Sequence, residues 1–226
     1  MMLDLPAMKQ YFLWLGSGRT RKLNVSSKTI HLDIAARARL PVPNGGVLLD
    51  ELYRLLLKEE VLLKTDDGIK AADPVWLFET VYHSVKFPRL EGLVSVQAVS
   101  AKPQFDVNFL EPTSFATSLC AQWTAVYDQP DSFRRDVLVM EMVDAQVRGT
   151  AVSRLSEACN QYSVNRELME LPKLSRWGRP SPDLPDALRR AQLLMRGVSR
   201  SLGKGNWEIE WADDGRTCWL LRAGRL

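Results

Sequence analysis

The stretch Trp207-Glu-Ile-Glu-Trp-Ala-Asp-Asp-Gly-Arg-Thr-Cys-Trp-Leu-Leu-Arg-Ala-Gly-Arg-Leu226 decides the reading of this chain. Two runs of β-formers flank Asp213-Asp214-Gly215, the composition of a tight turn, so the segment is expected to form an antiparallel hairpin. Side chains alternate across a strand, which puts Trp207, Ile209 and Trp211 on one face and Glu208 and Glu210 on the other. The first face wants a core. The second is open to two readings: a solvated strand face, or a floor of paired carboxylates that holds a divalent cation through oxygen ligands.

Working outward, further segments precede the hairpin in a definite order. They are Lys28–Leu49, with Leu40-Pro-Val-Pro-Asn-Gly-Gly46 inside it, then Gly92-Leu-Val-Ser-Val-Gln-Ala-Val-Ser100, Ser114-Phe-Ala-Thr117, Val137-Leu-Val-Met-Glu-Met-Val143 and Arg148-Gly-Thr-Ala-Val-Ser153. Together with Tyr11-Phe-Leu-Trp-Leu-Gly16 at the start, this series resembles the ATP-grasp nucleotide-binding domain of pyruvate phosphate dikinase and phosphoenolpyruvate synthase. The resemblance lies in collinear order over almost the whole chain. It implies an α+β, ATP-grasp-like, two-lobed fold with mixed or antiparallel sheets. It also implies ATP as ligand, with Lys28 on phosphate, the backbone of Met140, Glu141, Met142 and Val143 on adenine, and Glu210, seconded by Glu208, on Mg²⁺.

The chain departs from the family where the chemistry sits. The family has Gly-Gly-Lys before its first helix, and Ser26-Ser27-Lys28 keeps only the lysine. The family's phosphate-binding Val-Arg-Ser-Ser is Val96-Gln97-Ala98-Val99 here, and the stretch Lys102–Thr113 lacks the glycines of a loop that covers phosphates. In the last strand Arg222 replaces a metal-binding glutamine and Gly224 an arginine, unless a bulge brings Arg225 into that place. A guanidinium stays charged at any physiological pH and offers no acceptor to a metal, so Arg222 is expected within salt-bridge reach of Glu210 or Glu208.

Three functions follow as expectations. The first is a non-catalytic nucleotide-binding or regulatory subunit, a pseudoenzyme of the dikinase family. The second is an ATP-dependent phosphotransferase subunit that phosphorylates a histidine on a separate chain. The third is an interaction module with no nucleotide. The first two imply a partner that carries phosphohistidine or pyruvate-binding domains.

Composition agrees with a compact fold: 226 residues, 46% hydrophobic, with a formal net charge of +3. No apolar run approaches the roughly 18 residues of a spanning helix, and the acidic start Met1–Pro6 lacks a secretory n-region, so no membrane and a cytoplasmic address are expected. Cys120, Cys159 and Cys218 are odd in number and far apart, which predicts free, mostly buried thiols. Arginines cluster between Arg176 and Arg200 and again after Arg216. Such a patch can meet phosphate, nucleic acid or an acidic partner, or be the wet sides of helices; without a recognised nucleic-acid motif the second reading is favoured and nucleic acid is not an expected partner. His31 and His83 are isolated and read as structural or surface residues.

Helices are expected from Lys28 to Arg39 with Ile30, Ile34 and Ala38 on one face, from Asp50 (as cap) to Glu59, from Val75 to Lys86, from Ser114 to Tyr127, and from Asp186 to Leu202. The stretches 102–113 and 154–185 read as loop. The expected lobes are 1–90 and 91–226, interleaved rather than separate.

Overall fold

A computed structural model describes residues 10–87 and 90–226, Ser84 by its backbone alone; Met1–Pro6 and residues 88 and 89 of the expected lobe boundary lie outside the described residues. Along the chain come β1 (Phe12–Trp14), α1 (Ser27–Arg37), β2 (Gly45–Leu48), α2 (Asp50–Lys58), β3 (Leu62–Thr65), β4 (Gly68–Ala71) and α3 (Pro74–Glu79). There follow β5 (Leu93–Ala98), β6 (Gln104–Asn108), α4 (Pro112–Thr124), β7 (Val137–Glu141), β8 (Val147–Ser153), β9 (Cys159–Val164), β10 (Glu167–Pro172), α5 (Asp186–Ser201), β11 (Trp207–Asp213) and β12 (Cys218–Arg225). The α+β class and the antiparallel sheets expected of an ATP-grasp-like fold are present.

The elements belong to two compact units. The first comprises residues 10–14, Asn24–Ser26 and Asn44–Met142, the second Leu15–Leu23, Ser27–Pro43 and Val143–Leu226. The chain therefore crosses between units several times, and the boundary expected at 90/91 falls inside the first. The reason is strand pairing: β5, after that boundary, lies in the same sheet as β1 and β2, before it.

In the first unit one antiparallel sheet has the order β1-β2-β7-β5-β6. Val137 and Val139 of β7 and Val94 and Val96 of β5 are buried against Leu52 and Leu56 of α2 and Phe115, Leu119 and Trp123 of α4. Each such aliphatic side chain removed from water stabilises the fold by about 1.5–3 kcal/mol. β2 can lie between β1 and β7 because Gly45 and Gly46 lack side chains: a Cβ at Gly45 would stand 2.6 Å from the Val139 carbonyl. α4 begins where Glu111 accepts from the Thr113 and Ser114 amides and Pro112 follows.

Charged residues fix the entry to α2. Arg134 donates to both Glu51 oxygens at 2.8 and 2.9 Å and to both Asp136 oxygens at 2.9 and 3.0 Å. Asp136 in turn accepts from the Asp50 amide, and Asp50 accepts from the Arg135 amide and from Arg54. Asp50 is thus a buried link between α2 and β7 rather than the cap predicted for it, and Leu49 stands at the cap position without a side-chain bond.

In the second unit the antiparallel order is β10-β9-β8-β11-β12, with α1 and α5 packed against β12. Leu188, Ala191, Leu194, Met195 and Val198 form the buried stripe of α5, at the predicted spacing, and Gly203 (φ +93°) follows the helix. α1 buries Leu32, Asp33 and Ala35; the predicted face fails because Ala38 is exposed and Ile30 and Ile34 are only half-buried.

Other expectations are corrected. The segment 102–113 holds edge strand β6, and 154–185 holds the hairpin β9–β10, closed by Asn165 and Arg166 at φ 52° and 70° as a two-residue turn. The helix expected from Val75 to Lys86 is α3 followed by a π turn, Thr80–Ser84. Cys120 and Cys218 are buried, which pushes their thiols up to about 11 and about 12, and Cys159 is half-buried; all three are free, as expected.

Candidate functional site

β11 and β12 pair Glu208 with Gly224 and Glu210 with Arg222. Trp207, Ile209 and Trp211 are buried, while Glu208 and Glu210 are half-buried on the opposite face, as alternation requires. Cross-strand partners share a face, so Arg222 reaches the two carboxylates. Its Nη1 donates to Glu210 Oε1 and its Nη2 lies 3.8 Å from Glu208 Oε2. The pairing shifts between Glu210 and Trp211, but this irregularity lies on the turn side of the acidic pair. Arg225 still pairs with Trp207 and so belongs to the tryptophan face, not to the face of the carboxylates.

This arrangement can be tested against Mg²⁺. The ion demands near-octahedral oxygen ligation at about 2.0–2.1 Å. Here a protein cation already takes one Glu210 oxygen and sits beside Glu208, and among the described residues no group of three or more Asp, Glu, His or Cys side chains could hold a metal. As they stand, these residues do not fit the ion.

Lys28 lies in the first turn of α1, exposed and without an ion pair among the described residues. Nearby in the same unit is a glycine-containing loop that could look like a phosphate cradle. Its donors are already taken: the buried Asp33 carboxylate accepts from the amides of Gly16 (2.7 Å), Gly18 (3.0 Å) and Thr20 (3.3 Å) and from the Thr20 hydroxyl (2.6 Å). The two glycines have φ of 90° and 70°, the left-handed region that lets successive N–H groups converge on one anion. That anion is part of the protein. Sequence reading missed Asp33, although an acid between Leu32 and Ala35 is the available signal.

The four residues read as the adenine-side hinge end the first unit and begin the second. In the first unit the Glu141 amide donates to Asn44 O (2.8 Å) and the Met142 amide to Leu93 O (2.9 Å), while Met140 O accepts from the Ser95 hydroxyl (3.3 Å). The Glu141 carboxylate accepts from the Asn44 side chain and the Glu91 amide, and Met142 Sδ accepts from the Asp106 amide. In the second unit Val143 O accepts from Arg148 at 3.3 Å. Several of the backbone groups the resemblance offers to adenine therefore already have partners.

Both histidines read as expected. His31 donates from Nδ1 to Ala223 O at 3.0 Å and meets the Trp207 ring edge-on, and His83 is exposed. Among the arginines, Arg190 makes a two-point bond to buried Asp213, both at 2.7 Å, and Arg189 bonds Asp186. No helix among the described residues is long and apolar enough to cross a membrane.

No family model matches the sequence, and no curated protein matches it. Among solved structures the chain is similar to D-alanine–D-alanine ligase from Bacillus anthracis, at 10% identity and a TM-score of 0.48, over 94% of this chain and 58% of that one. It is similar to a RimK domain protein ATP-grasp from Sphaerobacter thermophilus at 13% identity and a TM-score of 0.45, covering 86% of this chain and 57% of that one. For N5-carboxyaminoimidazole synthase from Aspergillus clavatus, in complex with ADP and a ribonucleotide, the figures are 13%, 0.44, 87% and 43%. The chain spans less than two thirds of the length of each of these proteins.

Proposed function

We propose that this chain is a degenerate ATP-grasp-like domain, related to that of pyruvate phosphate dikinase and phosphoenolpyruvate synthase. In this reading it binds an adenine nucleotide weakly and serves a partner subunit without transferring phosphate itself. The observation that carries the reading is Arg222 lying across Glu210 and Glu208, a protein cation where the resemblance implies Mg²⁺. Phosphoryl transfer depends almost wholly on cations and donors aimed at the phosphates. Lys28 is the one family phosphate contact the sequence keeps, and the amides of Gly16, Gly18 and Thr20 are committed to Asp33. An adenine contact along Met140, Glu141, Met142 and Val143 depends less on side-chain identity, and flexible methionines tolerate a flat ring. The partner that fits is a separate subunit with phosphohistidine or pyruvate-binding domains.

Calorimetric titration of the full chain with adenosine, ATP and Mg-ATP tests the proposal. Adenosine and Mg-ATP are expected to bind within about threefold of each other, a difference of well under 1 kcal/mol. A Mg-dependent affinity for ATP in the low micromolar range would overturn it and favour the histidine-phosphorylating subunit. Silence toward all three would favour a pure interaction module.

A further inference from the structure

The second unit holds a cleft of about 530 Å³ walled by β8, β9, the segment after β10 and the C-terminal half of α5. This is within the range of small-molecule sites. Arg176, Arg200 and Lys204 face it, all exposed and none paired with a carboxylate among the described residues, and no acidic side chain lines it. Lys173 and Arg196 also line it, but backbone carbonyls engage them: those of Arg154 and Glu157 for the lysine, and of Ser175 and Gly178 for the arginine. These two shape the wall and the other three supply free positive charge.

The bland account is that Arg200 and Lys204 complement the dipole at the end of α5. It leaves two observations unexplained. Arg176 comes from a different segment, held with its guanidinium 5.0 Å from the Trp177 ring centroid. Asn160, which also lines the cleft, is 5% exposed, yet its Oδ1 has no hydrogen-bond partner, while its Nδ2 donates to the Tyr162 hydroxyl. A buried carbonyl left unpaired is destabilising, and a donor from a ligand would recover that loss.

We propose that this cleft is a binding site for a small phosphorylated polyol, such as a sugar phosphate. Arg176, Arg200 and Lys204 hold the phosphate, and Asn160 Oδ1 accepts from a ligand hydroxyl beside Ser153. Guanidinium groups suit this because they donate in pairs to phosphate oxygens. The site lies apart from Lys28, Glu208 and Glu210 in sequence and in residues used, and it does not rest on the nucleotide reading.

Titration of the full chain with ribose 5-phosphate, inorganic phosphate and ribose tests the assignment. Ribose 5-phosphate is expected to bind about tenfold more tightly than phosphate, the equivalent of one well-made hydrogen bond to the amide, and ribose not at all. The exposed double substitution Arg176→Ser with Arg200→Ser should weaken both phosphate-bearing probes about tenfold or more while leaving the melting temperature in place. Asn160→Ala should weaken ribose 5-phosphate and spare inorganic phosphate. Binding that ignores the double substitution, equal losses for both probes on Asn160→Ala, or silence toward ribose 5-phosphate would each overturn the proposal. So would a single-stranded RNA that quenches Trp177 fluorescence while ribose 5-phosphate does not bind.

Discussion

Each unit contains an arginine set between two carboxylates, and the two clusters behave differently. Arg134 is bonded at four oxygens of Glu51 and Asp136, Asp136 is almost wholly buried, and its Oδ1 also accepts from the Asp50 amide. Hydrogen bonds donated to Asp136 and then to Glu51 hold the Arg134 guanidinium well above the usual arginine range. Arg222 bonds one oxygen of Glu210 and only approaches Glu208, and side-chain exposures of 37%, 43% and 41% leave all three groups in contact with water. The same ions act as a structural clamp where one carboxylate, Asp136, is buried and the guanidinium is bonded at four oxygens, even though Glu51 is 38% exposed, and as an exchangeable pair where neither carboxylate is buried. Charge type does not distinguish a site from a scaffold; burial and completeness of bonding do.

The largest effect expected from breaking this contrast is on the buried side. Arg134→Met should destabilise the fold by about 3 kcal/mol, because it leaves the buried Asp136 carboxylate without its counter-ion. Urea unfolding with unchanged slope would measure it, and a loss below about 1 kcal/mol would put Arg134 in the same class as Arg222. Arg222→Gln should cost less than about 1 kcal/mol and release both carboxylates. Mg²⁺ should then raise the melting temperature of the variant by about 2–4 °C, the response to roughly 1 kcal/mol of linked binding in a chain of this size, and leave the parent protein unmoved. Equal responses would mean that the guanidinium does not compete with the ion.

The smallest effect sharpens the picture of the hairpin that carries Arg222. Asp214 accepts from Trp219 Nε1 at 2.8 Å and from the Thr217 and Arg216 amides, which holds its carboxyl down at about 2 from an ordinary 3.8. A lowered carboxyl stabilises the ionised turn, so the contribution is complete above about 3.8 and lost as the pH falls toward about 2. Trp219 fluorescence should report that transition, and Asp214→Asn should abolish it. A fluorescence change of the same midpoint in the asparagine variant would assign it to another group.

How much could be read beforehand follows the range of the interactions. The terminal hairpin and its charged face were legible because alternation and turn chemistry are local: Trp207, Ile209 and Trp211 went inward and Arg222 met Glu210 as pairing demands. The β9–β10 hairpin was not legible, because its strands alternate Asn160, Gln161, Ser163, Glu167 and Glu170 with few apolar residues. β6 escaped for a related reason, since Asp106 at φ 58° interrupts the pattern. The Arg134 cluster joins residues more than eighty positions apart, and Asp33 is an acid turned toward loop amides; neither leaves a periodic trace. The unpaired Asn160 carbonyl can be seen only once its surroundings are built.

The exposed edge strand β10 bears on how the molecule behaves in a crowded solution. An open edge offers its amides and carbonyls to any neighbouring chain, and Leu168, 66% exposed, would reward such pairing. Glu167 and Glu170 bring like charges face to face when two copies approach, and Pro172 has no amide to donate. The strand closes its own sheet and discourages a second molecule from extending it, so Glu167 and Glu170 act as guards of solubility, and neutralising both should make the protein prone to stack through that edge.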